Sequence, residues 1–278
     1  MTSHDVVAIA RKSLNLRRVG HAGTLDPMAT GVLVLGFGLG TRLLQYITDG
    51  EKEYAATIVL GVSTTTDDAD GDVVKKVSAE EVSEESIENI LATMRGTIMQ
   101  RPSSVSAIRI DGQRAYDLVR EGVEVDIPAR EVTIYRLHIA AVRKYDSLLE
   151  VDIEVTCSAG TFIRAIARDL GHALGVGGHL SALRRIRVGL FGLEQAISIR
   201  DLKERAFHPL TVSEVAMKIF PVRFLSSREE EQLGHGRAIA PSLDDGVVAA
   251  VSQEKSLVAL VENRDAFAKP VAVFAAIS

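Results

Sequence analysis

Two strand-like runs, Thr133 to Val142 and Leu148 to Cys157, sit almost back to back, with a turn at Lys144-Tyr145-Asp146-Ser147. Strands joined so closely pair antiparallel, because a parallel crossover needs about a dozen residues or more. The hairpin therefore sets one sheet direction before any other element is considered. Around it, helical and extended patterns alternate without strict strand–helix–strand order. An α+β fold with a mixed, mainly antiparallel sheet follows, rather than a doubly wound one.

The remaining elements are expected as follows. A helix runs from a cap at Thr2 or Ser3 to about Leu14. A glycine-rich loop covers 19–31, a strand Val32 to Phe37 and a short helix Thr41 to Ile47. Tyr54 to Leu60 alternates and is rich in β-branched residues, which predicts a strand. Thr64 to Asp72 is a polar turn. Ser83 to Met94 is a helix with Ile87, Ile90, Leu91 and Met94 on one stripe. Residues 101–114 are irregular or short strand, and Ala115 to Arg120 is a helical turn ending at Gly122. Thr161 to Leu174 is a helix closed by Gly175. A second short helix covers Ser181 to Arg185, followed by a strand from Val188 to Phe191.

The texture changes near Phe220-Pro221. Beyond it, Gly246 to Val251, Leu257 to Val261 and Val271 to Phe274 are short β-rich pieces separated by turn residues. Two domains are expected: 1–217, and a small β domain over 218–278.

Composition bounds the chemistry. The 278 residues carry a net charge of −5 and a single cysteine, so neither an intrachain disulfide nor a Cys-based zinc site can form. No signal-peptide pattern opens the sequence. The longest apolar run, Gly31 to Gly40, falls short of the roughly 20 residues a membrane helix needs. A cytoplasmic, non-membrane protein is expected.

Charge is unevenly spread. Arg95 to Lys144 is net +3, Gly160 to Gly192 net +4 and Leu60 to Ile90 net −7. A local basic face of this kind can meet phosphates while an acidic face keeps the protein soluble.

Several motifs fail on inspection. Gly36-Phe37-Gly38-Leu39-Gly40 tempts a dinucleotide-binding reading, but Thr41 stands where the third glycine belongs. Tight strand-to-helix packing explains these glycines. Asp67-Asp68-Ala69-Asp70-Gly71 hints at a calcium loop. With Gly71 at loop position six, Val77 falls where the bidentate glutamate should be, so an acidic turn is the better reading. The histidines form no metal-binding pattern, and no metal or cofactor is expected. Cys157 reads as a small core residue.

Gly20 to Gly31 is the informative stretch. Three glycines and Pro27 fix an unusual backbone, and Pro27 keeps Asp26 out of helical conformation. Asp26 is the only acid between Asp5 and Asp49. From the residues alone it is either a nucleophile or general base, or a turn-capping aspartate.

The segment Gly20 to Gly40 closely resembles the signature of the bacterial tRNA pseudouridine-55 synthases, the TruB type. The resemblance continues at Lys52-Glu53-Tyr54 and from Arg101-Pro102 to Gly122. It resumes at Ser158-Ala159-Gly160-Thr161-Phe162-Ile163-Arg164 with Asp169-Leu170-Gly171, and at Leu183-Arg184-Arg185. It covers most of 2–200, in order. Such enzymes convert a tRNA T-loop uridine to its C-glycoside isomer, with no metal, redox step or cofactor.

The resemblance implies roles. Asp26 matches the catalytic aspartate, which attacks the ribose or removes its 2′ proton. Tyr54 matches the tyrosine that stacks on the target base and helps remove the C5 proton. Arg164 matches the arginine paired with the aspartate. His21 matches a histidine near the extruded nucleotide, and Leu183 an apolar pocket residue. Phe162 is a further stacking candidate. Arg101, Arg109, Arg114 and Arg120 lie in the stretch resembling an RNA-gripping insertion and would meet phosphates. The C-terminal stretch resembles a PUA-like RNA-binding domain. The implied partner is the tRNA T-arm, with no obligatory protein partner and a monomeric enzyme.

Three departures are visible. Family members usually begin with a strand and a Lys-Pro-x-Gly turn just before the segment matching Met1-Thr2-Ser3. Phe162 stands where tyrosine is common, and Thr65 where aspartate is frequent. Two rivals remain: an RNA-guided synthase subunit acting on ribosomal RNA, and a non-catalytic protein that binds or folds tRNA.

Overall fold

A computed structural model describes residues 1–103, 109–110, 113–114 and 127–274. The chain divides into two compact units. The first comprises 1–3, 23–34 and 48–196; the second comprises 4–22, 35–47 and 197–278.

The first unit is built on a seven-stranded sheet. Its hairpin is β10 (Arg130–Tyr145) with β11 (Leu148–Cys157), antiparallel as expected. The strand β4 (Lys52–Leu60) pairs β11 on one side and β12 (Gly178–Val188) on the other. β7 (Gly96–Gln100) closes one edge against β10, and β13 (Phe191–Gly192) the other against β12. All these ladders are antiparallel. The exception is β2 (Thr30–Gly31), which pairs β12 in parallel. The sheet is therefore mixed and mainly antiparallel.

Its inner face follows the two-residue period of strands. Tyr54, Ala56, Ile58 and Leu60 from β4 share a core with Leu149, Val151, Ile153, Val155 and Cys157 from β11. Two helices cover this face. α3 (Glu84–Thr93) contributes the fully buried Ile87 and Leu91, and α4 (Ile163–Ala173) contributes Ile163, Ile166 and Leu170. Ser83 caps α3, its hydroxyl accepting from the Ser86 amide. A short hairpin, β5 (Val62–Thr64) with β6 (Val73–Lys76), carries the acidic turn between its strands.

Residues 181–185 are strand, not the expected short helix. β12 shifts register between Leu180 and Ala182 and again between Arg185 and Arg187. A bulge inserts a residue and breaks the alternation. The inward Leu180 and Leu183 therefore fall three apart, a spacing that mimics a helix turn.

The second unit holds α1 (Ser3–Leu14), which continues from the first unit's Ser3, and β1 (Val19–Ala22). β1 pairs β3 (Val34–Phe37), so the expected loop over 19–31 opens with a strand. A 3-10 turn at Gly38–Leu43 leads into α2 (Leu44–Thr48). A Cβ on Gly36 would lie 2.9 Å from the Leu44 side chain, so close packing accounts for that glycine. Val7, Ala10, Val19 and Leu202 form one small core here.

A four-stranded sheet forms another core, with strand order β14 (Val222–Phe224), β15 (Val247–Val251), β16 (Leu257–Arg264), β17 (Phe267–Val273). It buries Val248, Ala250, Val258, Ala259, Val261 and Ala268. Three helices complete the unit: α5 (Ile199–Glu204), α6 (Val212–Ile219) and α7 (Ser227–Gly234). Among the described residues no helix is long and apolar enough to cross a membrane.

Candidate active site

Asp26 sits on the loop between β1 and β2. Its carbonyl accepts from the Ala29 amide at 2.9 Å, closing a turn over Pro27. Ser3 braces the preceding residue: its hydroxyl accepts from the Leu25 amide at 2.9 Å and donates to the Leu25 carbonyl at 3.2 Å. The Ser3 side chain thus serves this loop rather than capping α1.

The Asp26 carboxylate meets Arg164 in a two-pronged pair, Nε to Oδ2 at 3.0 Å and Nη2 to Oδ1 at 3.1 Å. This planar fork fixes direction as well as distance. The arginine side chain is 6% exposed and the aspartate 30%, so the carboxylate is the reachable partner. Arg164 lies in the first turn of α4, whose start is set by Gln100. The Gln100 side chain accepts from the Phe162 amide at 2.8 Å and donates to the Phe162 carbonyl at 3.0 Å.

The remaining nitrogen of Arg164 has its own partners. Nη1 donates to the Thr66 carbonyl at 3.1 Å and lies 3.3 Å from Asp68 Oδ2. Asp68, buried in the acidic turn, also accepts from the Asp70 amide. One helical turn on, Arg168 reaches Asp67 at 3.4 Å and the Arg101 carbonyl at 2.7 Å. Burial pushes the Asp67 carboxyl up, opposed by Ser103 and then Arg168. The acidic turn is therefore an ion-pairing element for two arginines. Thr65 closes it: its amide donates to the Asp72 carbonyl at 2.9 Å, and its hydroxyl accepts from the Asp72 amide.

Tyr54 lies at the end of the inward row of β4 and is 7% exposed. Its cross-strand neighbour on β12 is Arg185. Burial pushes the Tyr54 phenol up; the Arg185 guanidinium beside it opposes this, and Asp26 adds a smaller upward push. Tyr54 is thus a neutral phenol at neutral pH, within electrical reach of Asp26. Leu183 is buried in the same core.

Other expected site residues have different surroundings. Phe162 is half-buried, with the Arg130 guanidinium 4.5 Å above its ring. His21 lies in β1, in the second unit, edge-to-face with His4 at 5.8 Å. Arg101 is exposed. Arg109 and Arg114 pair across two two-residue strands, β8 (Arg109–Ile110) and β9 (Gln113–Arg114). Arg120 and the expected turn over 115–120 lie outside the described residues. Among the described residues, no group of three or more acidic, histidine or cysteine side chains could hold a metal.

The basic stretch Gly160 to Gly192 divides in two. Arg164, Arg168, Arg185 and Arg187 all have internal partners, Arg187 through Glu51 and Glu53. Arg184 is exposed and touches Thr30. Sequence reading missed Asp68, Gln100 and Arg185. The one available signal was the −7 segment lying opposite in sign to the +4 segment.

Comparison with known proteins identifies the family. Residues 11–163 match the profile described as TruB family pseudouridylate synthase, N-terminal domain. Residues 164–216 match the tRNA pseudouridylate synthase B C-terminal domain, and 220–275 the tRNA pseudouridine synthase II C-terminal domain. A Mycolicibacterium paratuberculosis protein named tRNA pseudouridine synthase B is 51% identical over 273 residues, 98% of this chain and 93% of the relative. Its namesake from Mycobacteroides abscessus is 49% identical over 265 residues, 95% and 89% of the two chains. Among solved structures, a chain of an H/ACA RNP bound to a substrate RNA containing 2′-deoxyuridine aligns with a TM-score of 0.72. It is 25% identical, with 100% of this chain and 82% of that one covered. A chain of a Cbf5–Nop10–Gar1 complex aligns at 0.71 and 26% identity, covering 100% and 82%.

Proposed function

The chain belongs to the TruB family of pseudouridylate synthases, and from that premise we propose how it acts on tRNA. It is an RNA pseudouridine synthase, an isomerase with tRNA as substrate. The finer reading is that the target is the T-loop uridine at position 55. The reaction breaks the N1–C1′ bond, turns the base and forms a C5–C1′ bond, with the C5 proton leaving to solvent and N1 taking up a proton.

Asp26 is the reacting carboxylate in this reading. The observation that carries it is the fork from Arg164, which aims a partly exposed carboxylate on a proline-stiffened loop. Tyr54 supports the extruded base. A phenol kept neutral by burial offers a ring face and a hydrogen-bond donor rather than a phenolate base. Base–aromatic stacking is worth about 1–3 kcal/mol, enough to offset much of the few kcal/mol that extrusion costs. Leu183 and Phe162 add apolar wall. Arg101, Arg109, Arg114 and Arg120 meet phosphates. The reading includes a cytoplasmic monomer, a catalytic domain over 1–217 and a PUA-like RNA-binding domain over 218–278.

The test is carbodiimide primer-extension mapping of an unmodified tRNA transcript after incubation with the purified chain. A stop at the T-loop uridine, absent with Asp26→Ala, is expected. A stop elsewhere, or one that survives Asp26→Ala, would overturn the reading.

A second reading comes from the solved structures of similar fold, whose descriptions name multi-component assemblies. A guided subunit would leave tRNA unmodified unless partners were added. The same assay separates the two readings.

A further inference from the structure

Arg185 heads the largest side chains with no exposed surface among the described residues. Burying a guanidinium is costly unless its donors are met, and a hydrocarbon of similar size often serves a core equally well. Its three nitrogens all donate to backbone carbonyls: Nε to Val32 at 2.8 Å, Nη1 to Thr24 at 3.1 Å and Nη2 to Gly23 at 3.2 Å.

These carbonyls bracket Asp26, two just before it and one six residues after. The main chain of Arg185 grips the same loop. Its carbonyl accepts from the Val32 amide at 2.9 Å, and Arg184 and Arg185 pair with Thr30 and Gly31. A Cβ on Gly31 would fall 2.1 Å from the Arg185 carbonyl oxygen, so only glycine allows that approach. A planar guanidinium can span acceptors at both ends of a loop; a lysine ammonium is a single point.

We propose that Arg185 is a positioning residue for Asp26. It clamps both ends of the loop over 23–32 into a frame that delivers the carboxylate to the Arg164 fork. The inference rests on Asp26 being the reacting group.

The test is single-turnover isomerisation on saturating tRNA transcript, with tRNA affinity and thermal melting measured alongside. Arg185→Lys and Gly31→Ala are the variants, Leu91→Ala is a core control, and Asp26→Asn is the inactive reference. Both loop variants are expected to lose about 100-fold or more in rate while Kd stays within about threefold, the scale at which a small misplacement of a catalytic group is felt. Leu91→Ala, assayed where it is folded, should keep its rate.

Three results would overturn this proposal alone: a near-wild-type rate for Arg185→Lys, a loss that tracks Kd, or a loss that tracks the folded fraction. If Arg185→Lys does not fold, Gly31→Ala decides, because it shifts the loop without removing the buried charge. A full rate for Gly31→Ala would then overturn the clamp. An active Asp26→Asn would overturn the underlying assignment of Asp26 as well.

Discussion

Arg164 is held by two carboxylates from different parts of the chain, Asp26 and Asp68. Asp68 is the more buried of the two, and without it Nη1 of Arg164 keeps only the Thr66 carbonyl, a lost charge-assisted bond costing about 1.5–3 kcal/mol. Asp68→Ala should therefore lower the melting temperature and lower kcat more than tRNA affinity. A variant with unchanged Tm and kcat would show that Asp68 does not anchor the arginine. Tyr54→Phe should retain tRNA binding better than turnover; equal losses of both would remove the base-handling role. Cys157 gives a pH prediction. Burial, partly opposed by Thr161, pushes its thiol from an ordinary 9.0 up to about 11. The folded state disfavours the thiolate, so this contribution to stability is full below pH 9 and is lost as pH rises toward 11. Urea midpoints across that range should fall in the wild type and fall less in Cys157→Ala. Residues were unequally legible. Asp26 stood out as a lone acid on a rigid loop. Asp68 was hidden among neighbouring acids, because only the tertiary fold tells a paired carboxylate from a solvated one.

At the scale of elements, the β10–β11 hairpin was plain in the sequence because alternation and a short turn agree. β12 was not, because its bulges shift the inward residues to helical spacing. Ser3 misled in another way: it starts α1, but its hydroxyl is spent on the Leu25 backbone. α4 links two regions, with Arg164 facing the Asp26 carboxylate and Arg168 holding Asp67 and the Arg101 carbonyl. Arg168→Ala should loosen the acidic turn and weaken tRNA binding together with turnover. Amide exchange over 64–72 should rise; unchanged protection there would show that the turn holds itself.

Across the whole molecule, net charge was a poor guide and its distribution a better one. The protein is acidic overall, yet much of the basic stretch 160–192 is neutralised by its own carboxylates. On the proposed reading, phosphate contact belongs to Arg109 and Arg114. Arg109→Ala and Arg114→Ala should each reduce the salt dependence of tRNA binding by roughly one unit of slope. An unchanged slope would place both away from the backbone. Fold class was legible because one local hairpin, β10–β11, fixes an antiparallel pairing, although β4 joins β11 and β12 across long stretches of chain. The second unit was not, because it gathers 4–22 and 35–47 with 197–278, pieces far apart in sequence.

The most direct test of the central claim uses tRNA transcribed with tritium at uridine C5. Forming the C5–C1′ bond releases that label to water. One equivalent per tRNA should be released by the chain alone, none with Asp26→Asn, and none when the T-loop target uridine is replaced by cytidine. Release by Asp26→Asn, or from the cytidine-substituted tRNA, would contradict the account.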